Sequence, residues 1–266
     1  MQDYKLPYVK PKKYLGQHFL VDRNIAGKIV DLIPRDGNKD VIEVGPGKGI
    51  LSEFLLERPD IELVMVEIDK EASAFLSDKF QGIEDKLITG DVLSMDIEQI
   101  FKNEITLIGN FPYNISSPLF FKILEQKDVI NRVVCMIQKE VAERIVSRQG
   151  NKTYGILSVL LQTFYDIEYV FTVNEKVFQP PPKVKSAVIK LERNKRSHLP
   201  CNDKLFFKIV KAAFNQRRKM LRNALSSFVK ASMRSNEYLS MRAEQLSVQD
   251  FISLAQLIEQ DKNLKP

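Results

Sequence analysis

The residues best suited to chemistry are Asn110, Pro112 and Tyr113, in the run Ile108-Gly109-Asn110-Phe111-Pro112-Tyr113-Asn114. Asn110 offers an amide donor and a carbonyl acceptor. Pro112 fixes its own φ and pushes Phe111 out of the helical region, so the segment is a stiff, extended loop. Pro112 keeps a backbone carbonyl, and Tyr113 adds a flat π face. Two acceptors beside an aromatic plate form a cradle for a planar group carrying an NH2. A plainer reading of the same residues is a strand-to-helix turn stiffened by proline and capped by asparagine. The run alone does not choose between the two.

Three further features stand at comparable places. Gly45, Gly47 and Gly49 alternate directly after the apolar run Asp40–Val44. This is neither the Walker spacing nor the strict G-x-G-x-x-G fingerprint. Lys48 leaves room for a phosphate, but Glu43 before the turn repels one and suits an ammonium or sulfonium centre. Glu67 lies 22 residues after Gly45 and closes a second apolar run, where a carboxylate takes ribose hydroxyls. Asp91 closes the third run, placed to accept from an adenine amine. Ligands of open α/β sheets bind at the carboxyl ends of the strands, and four such features in series point to a nucleoside cofactor.

The elements that must position them follow from hydrophobic period. Apolar strands are expected at 40–44, 61–67, 87–89, 105–108 and 132–138. Helices are expected at 50–56, 70–79, 119–125, 139–148 and 153–163. Strands at 167–172 and 185–192 flank Pro180-Pro181-Pro182, one of them antiparallel. This alternation predicts an α/β fold, a mostly parallel sheet with helices on both faces. Residues 1–13, rich in lysine and proline, read as a flexible basic arm. A polar break at 194–200 divides a domain at 1–195 from a small all-helical domain at 196–266. There helices are expected around Leu205–Phe214, from Arg217 to Phe228, and from Ser247, where Asp250 completes a capping box.

The chain has 266 residues, 44% hydrophobic content and a net charge of +6. Residues 196–266 hold 13 Lys and Arg against 6 Asp and Glu, a net of +7. That imbalance points to a polyanion, foremost nucleic acid. Lys208, Lys211, Arg217, Arg218, Lys219 and Arg222 are the candidate phosphate contacts; a solvated helix face is the alternative. Two cysteines and two histidines, far apart, give no metal-ligand spacing. No apolar run approaches the roughly 20 residues of a membrane span, and the N-terminus lacks a signal-peptide core. A cytoplasmic protein is expected, and nothing demands more than a monomer.

Glu43-Val44-Gly45-Pro46-Gly47-Lys48-Gly49, Val66-Glu67-Ile68-Asp69, Gly90-Asp91-Val92-Leu93 and Asn110-Phe111-Pro112-Tyr113 together resemble the S-adenosylmethionine-dependent rRNA adenine N6-methyltransferases. Gln17-His18-Phe19-Leu20 resembles that family's first motif, commonly Gln-Asn-Phe-Leu. Here His18 replaces the asparagine, and Phe111 stands where Leu or Ile is commoner. The resemblance implies a Rossmann-like class I methyltransferase sheet. It implies cofactor contacts at His18, Leu20, Gly45, Gly47, Glu67, Asp91 and Asn110. It further implies that Asn110 and the Pro112 carbonyl hold the adenine N6, with Tyr113 and Phe178 stacking on a flipped base. Phe178-Gln179-Pro180-Pro181-Pro182-Lys183-Val184 and Gln216-Arg217-Arg218-Lys219-Met220-Leu221-Arg222-Asn223 resemble the branch (KsgA type) that dimethylates two adjacent adenosines near the 3′ end of small-subunit rRNA. The implied partner is the small ribosomal subunit with its 16S rRNA. The rivals are the Erm-type branch acting on large-subunit rRNA and a non-catalytic assembly factor on the same fold. A nicotinamide-dependent enzyme fits the glycine turn and Glu67 but leaves Asn110–Tyr113 without a purpose.

Overall fold

The structure is a computed structural model that describes residues 9–233 and 235–263. The chain divides into two compact units, 1–142 with 167–193, and 143–166 with 194–266. In chain order the elements are β1 (Phe19–Leu20), α1 (Arg23–Val30), β2 (Asp40–Val44), α2 (Ile50–Leu56), β3 (Glu62–Glu67), α3 (Lys70–Lys79), β4 (Leu87–Thr89), α4 (Ile97–Ile100), β5 (Ile105–Asn110), α5 (Ser116–Glu125), β6 (Ile130–Gln138) and α6 (Lys139–Val146). Then come α7 (Ile156–Phe164), β7 (Tyr165–Val173), β8 (Phe178–Gln179), β9 (Ser186–Arg193), α8 (Asp203–Asn215), α9 (Leu221–Ala224) and α10 (Val248–Asn263).

The seven-stranded sheet runs β4-β3-β2-β5-β6-β9-β7. β2 pairs in parallel with β3 and with β5, and β6 pairs antiparallel with β9. From β2 the chain first builds outward through β3 and β4, then crosses to β5 on the other side. The order therefore reverses between β2 and β5, and the carboxyl ends of those two strands flank the switch point, where α/β sheets bind ligands. Strands buried on both faces read as continuous apolar runs; β5 is buried from Ile105 to Gly109. Asp22 caps α1, accepting the N–H groups of Asn24 and Ile25, and Asp69 caps α3 by accepting that of Glu71. A two-stranded ribbon the sequence did not announce, β1 with β8, pairs Leu20 opposite Phe178.

The second unit is helical. α7 carries seven buried residues among its nine, an all-round apolar helix that must be enclosed. It packs on α8 and α10, with the Phe164 and Phe207 rings 6.4 Å apart. That packing draws 143–166 into this unit, whereas a boundary at 195/196 alone would leave it with the sheet. The α10 capping box is as expected: Ser247 and Asp250 exchange hydrogen bonds of 2.8 and 3.1 Å. The helix expected from Arg217 to Phe228 shrinks to α9, because Leu221 N–H donates to the Met241 carbonyl and Met220 pairs with Arg242. Those bonds hold the chain extended at Met220.

Of the flexible arm expected at 1–13, residues 1–8 lie outside the described residues. Within residues 9–13, Val9 and Lys12 are tied down while Lys10 and Lys13 are exposed. Val9 is buried in a cluster with Phe19, Ala72 and Phe75, and Lys12 pairs with Asp69.

Candidate active site

Gly45, Gly47 and Gly49 take φ values of 65°, 59° and 74°, conformations that side chains resist. Gly47 is further constrained by contact: a Cβ there would stand 2.8 Å from the Phe19 ring. The turn is pinned from the next strand. Gly47 N–H donates to Glu67 Oε2 at 2.9 Å, and Asp69 N–H donates to Glu67 Oε1 at 2.9 Å. Burial pushes the Glu67 carboxyl up, against the pull of those two N–H groups. Each oxygen keeps a lone pair for a ligand hydroxyl.

Gly45, Gly47, Glu67, Asn110, Pro112 and Tyr113 line one cleft, whose remaining wall is Leu15–Phe19 with Ile68 and Phe111. A second cleft shares Leu15, Gly45, Ile68 and Pro112 and continues to Gly90, Asp91, Val92 and Leu93. One Asp91 oxygen accepts the Leu93 N–H at 2.9 Å. A third lies under the glycine turn, with Leu20, Glu43 and Asn110 in its lining. All seven residues implied as cofactor contacts thus border these three adjoining clefts. The set fits a nucleoside with a cationic tail: a buried carboxylate for ribose, a second acid beyond it, and glycines whose missing Cβ atoms leave the backbone bare.

Asn110 Nδ2 donates to the His18 carbonyl at 2.9 Å. A carbonyl only accepts, so this bond fixes which end of the amide is which. Asn110 Oδ1 is left facing away from it, with no hydrogen bond among the described residues. The Pro112 carbonyl accepts the Ile115 N–H at 3.1 Å and keeps one lone pair. Tyr113 donates to or accepts from Ser186 Oγ at 2.7 Å; burial pushes its phenol pKa up, so it stays neutral.

Three residues have partners the sequence did not show. The His18 ring lies 5.3 Å from the Tyr113 ring, and Nδ1 meets the Pro180 carbonyl at 2.8 Å. Its side chain is engaged by the tyrosine and the β8 loop, and its backbone carbonyl accepts the Asn110 amide. Phe178 is 3% exposed and belongs to the core cluster with Leu20 and Val173. It pairs across the ribbon with Leu20 and lines none of the three clefts. Glu43 is 1% exposed and accepts Ser52 Oγ at 2.6 Å. Burial pushes its carboxyl up to about 8, with Glu67 adding to the shift and Ser52 opposing it. It is largely neutral at pH 7, so repulsion of a phosphate is weaker than the bare sequence implies.

In the helical unit Lys208, Lys211, Arg218, Lys219 and Arg222 are exposed. Arg217 is half-buried: its guanidinium donates to the Asn151 carbonyl at 3.1 Å and lies 3.6 Å from Glu244. Sequence reasoning missed Lys12 and the Gln17 side chain. The Gln17-His18-Phe19-Leu20 motif was the available signal for the second.

Comparison with known proteins agrees with this geometry. The sequence model of the family described as ribosomal RNA adenine dimethylase matches residues 9–260. The Ribosomal RNA small subunit methyltransferase A of Cytophaga hutchinsonii is 52% identical over 252 residues, 94% of this chain and 98% of the relative. Its namesake in Flavobacterium johnsoniae is 50% identical over 255 residues, 95% and 97% of the two chains. A dimethyladenosine transferase from Plasmodium falciparum has the same fold, with a TM-score of 0.77 at 24% identity over 92% of this chain and 98% of that one. The 23S rRNA methyltransferase ErmE shares it at a TM-score of 0.63 and 23% identity, over 88% and 98%.

Proposed function

The chain belongs to the ribosomal RNA adenine dimethylase family, as an S-adenosylmethionine-dependent adenine N6-dimethyltransferase of small-subunit rRNA, and from that premise we propose how and where it acts. The target is two adjacent adenosines near the 3′ end of 16S rRNA in the small ribosomal subunit. When bound, S-adenosylmethionine supplies an activated methyl on a sulfonium. Glu67 would hold its ribose and Asp91 its adenine, with Gly45 and Gly47 giving the backbone room.

The observation that carries the reading is the Asn110–His18 hydrogen bond. It leaves Asn110 Oδ1 and the remaining lone pair of the Pro112 carbonyl as acceptors for the two N–H bonds of an adenine amine. The N6 lone pair is delocalised into the ring and nucleophilically poor. Two acceptors favour a pyramidal nitrogen with its lone pair aimed in line at the methyl, so positioning is the main catalytic contribution. No dedicated base is required, since the methylated ammonium is acidic enough to release its proton to water. The base must leave its stack to react. We place it on Tyr113, where stacking contributes roughly 1–3 kcal/mol, and assign Phe178 to the core beneath.

The exposed cations of the helical unit would take rRNA phosphates. We take the chain to act as a monomer. We place the reaction in the cytoplasm, with its ribosomal substrate. The half-identical relatives carry a small-subunit name, which favours this target over large-subunit rRNA. Single-turnover methylation of small subunits by Asn110→Ala tests the mechanism. A loss of roughly 10²–10³-fold in rate is expected for one preorganised polar contact; a rate near wild type overturns the role of Asn110.

A further inference from the structure

The wall Leu15–Phe19 of the cleft is tied down by a network the proposed chemistry does not use. Lys12 Nζ lies 2.6 Å from Asp69 Oδ1 and 3.2 Å from Glu71 Oε1. Gln17 Nε2 donates to Asp69 Oδ2 at 3.1 Å, while Gln17 Oε1 accepts the Lys12 backbone N–H at 2.8 Å. The Asp69 side chain is fully buried, and that of Lys12 is 21% exposed. Burial disfavours the charged Asp69, yet the Lys12 and Gln17 bonds hold its carboxyl below the usual range. Asp69 N–H in turn donates to Glu67, the carboxylate facing the cleft. On its other side the same segment is stitched to the acceptor loop, through Asn110 to the His18 carbonyl at 2.9 Å and Asn114 to the Tyr14 carbonyl at 3.1 Å. The segment thus spans the glycine-turn side and the methyl-acceptor side of one cleft.

We propose that Lys12 and Gln17 are positioning residues that latch the Leu15–Phe19 wall onto Asp69, and that this latch sets how fast nucleoside ligand leaves the cleft. The proposal rests on the assignment of the cleft to S-adenosylmethionine. Widening the cleft on this side requires parting the segment from Asp69 or from Asn110, and the Asp69 side carries the charge-assisted bond. Because Lys12 is partly exposed, the latch weakens with salt.

The experiment measures association and release of S-adenosylhomocysteine by stopped flow in the full-length protein, with melting temperature recorded alongside. Lys12→Met and Gln17→Leu should each speed release about tenfold, the factor corresponding to one lost hydrogen bond to a charged group. Lys12→Arg should restore slow release, and Lys13→Met in the same turn should leave it unchanged. Wild-type release should quicken with ionic strength, and that dependence should flatten in Lys12→Met. Unchanged release in Lys12→Met and Gln17→Leu, or equal acceleration by Lys13→Met, overturns the latch. A wild-type protein that does not bind S-adenosylhomocysteine overturns the cofactor assignment instead.

Discussion

Gly109→Ala probes how finely β5 must place Asn110. A Cβ at Gly109 would stand 2.4 Å from the Val44 carbonyl oxygen, whereas ordinary contact begins at 3.4 Å. The obstacle is backbone of the adjacent strand β2, so no rotamer change relieves it, and the Phe111 ring at 3.2 Å blocks another direction. About 1 Å of separation between β2 and β5 must be found at the switch point. Overpacking of that kind costs roughly 1–3 kcal/mol of stability. Each kcal/mol lowers the melting temperature of a domain of 150–250 residues by about 2–4 °C. Asn110 is the next residue, so the displacement passes directly to Oδ1, and a misplacement near 1 Å costs about 10²-fold in rate. Single-turnover methyl transfer to small subunits at saturating methyl donor reads the rate; thermal unfolding reads the stability. The expected result is a variant that folds, melts a few degrees lower and transfers about 10²-fold more slowly. A wild-type rate with unchanged melting would refute the claim that strand spacing sets the catalytic geometry.

Glu43→Gln removes a proton linkage. The Glu43 carboxyl stands at about 8 in the folded chain against 4.5 for the free group. The native state therefore holds a proton that the unfolded state releases, and stability falls as pH rises from 4.5 to 8. At 1.36 kcal/mol per unit the upper bound is about 5 kcal/mol; melting of Glu43→Gln should fall less with pH than that of wild type, and parallel curves would contradict the burial argument. Phe178→Leu should lower the melting temperature while keeping turnover within a few-fold; a 10²-fold loss at unchanged melting would return Phe178 to the base-stacking role. Arg218→Glu with Lys219→Glu should weaken binding to small subunits and flatten its salt dependence, with an unchanged slope counting against rRNA contact there. Arg217 is the poorer probe because its loss also frees Asn151 and Glu244.

The sheet was legible because every strand from β2 to β5 is an apolar run ended by a residue type that interrupts it: Gly45, Glu67, Gly90 or Asn110. The same endings exposed most of the cleft, since strand ends are where α/β sheets carry ligands. Short ribbons were not legible. β1 and β8 have two residues each, too few for a period, and their pairing spans most of the sheet-bearing unit. It was that pairing that sent Phe178 into the core. α7 was found as a helix, but its allegiance depends on partners about 50 residues away in α8. The Lys12–Asp69 pair was hidden for a like reason: lysines in a proline-rich start read as solvated, and only the fold brings α3's capping aspartate beneath one of them. At position 18 the contact with Asn110 comes from the backbone carbonyl, which no side-chain pattern reveals.

The most direct test of the central claim is to incubate the protein with small or with large ribosomal subunits and methyl-labelled S-adenosylmethionine, then map the label along the rRNA of each. The account predicts dimethyl label at N6 of two adjacent adenosines near the 3′ end, and its loss in Asn110→Ala. Label on large-subunit rRNA instead, or none in the small subunit, would contradict it.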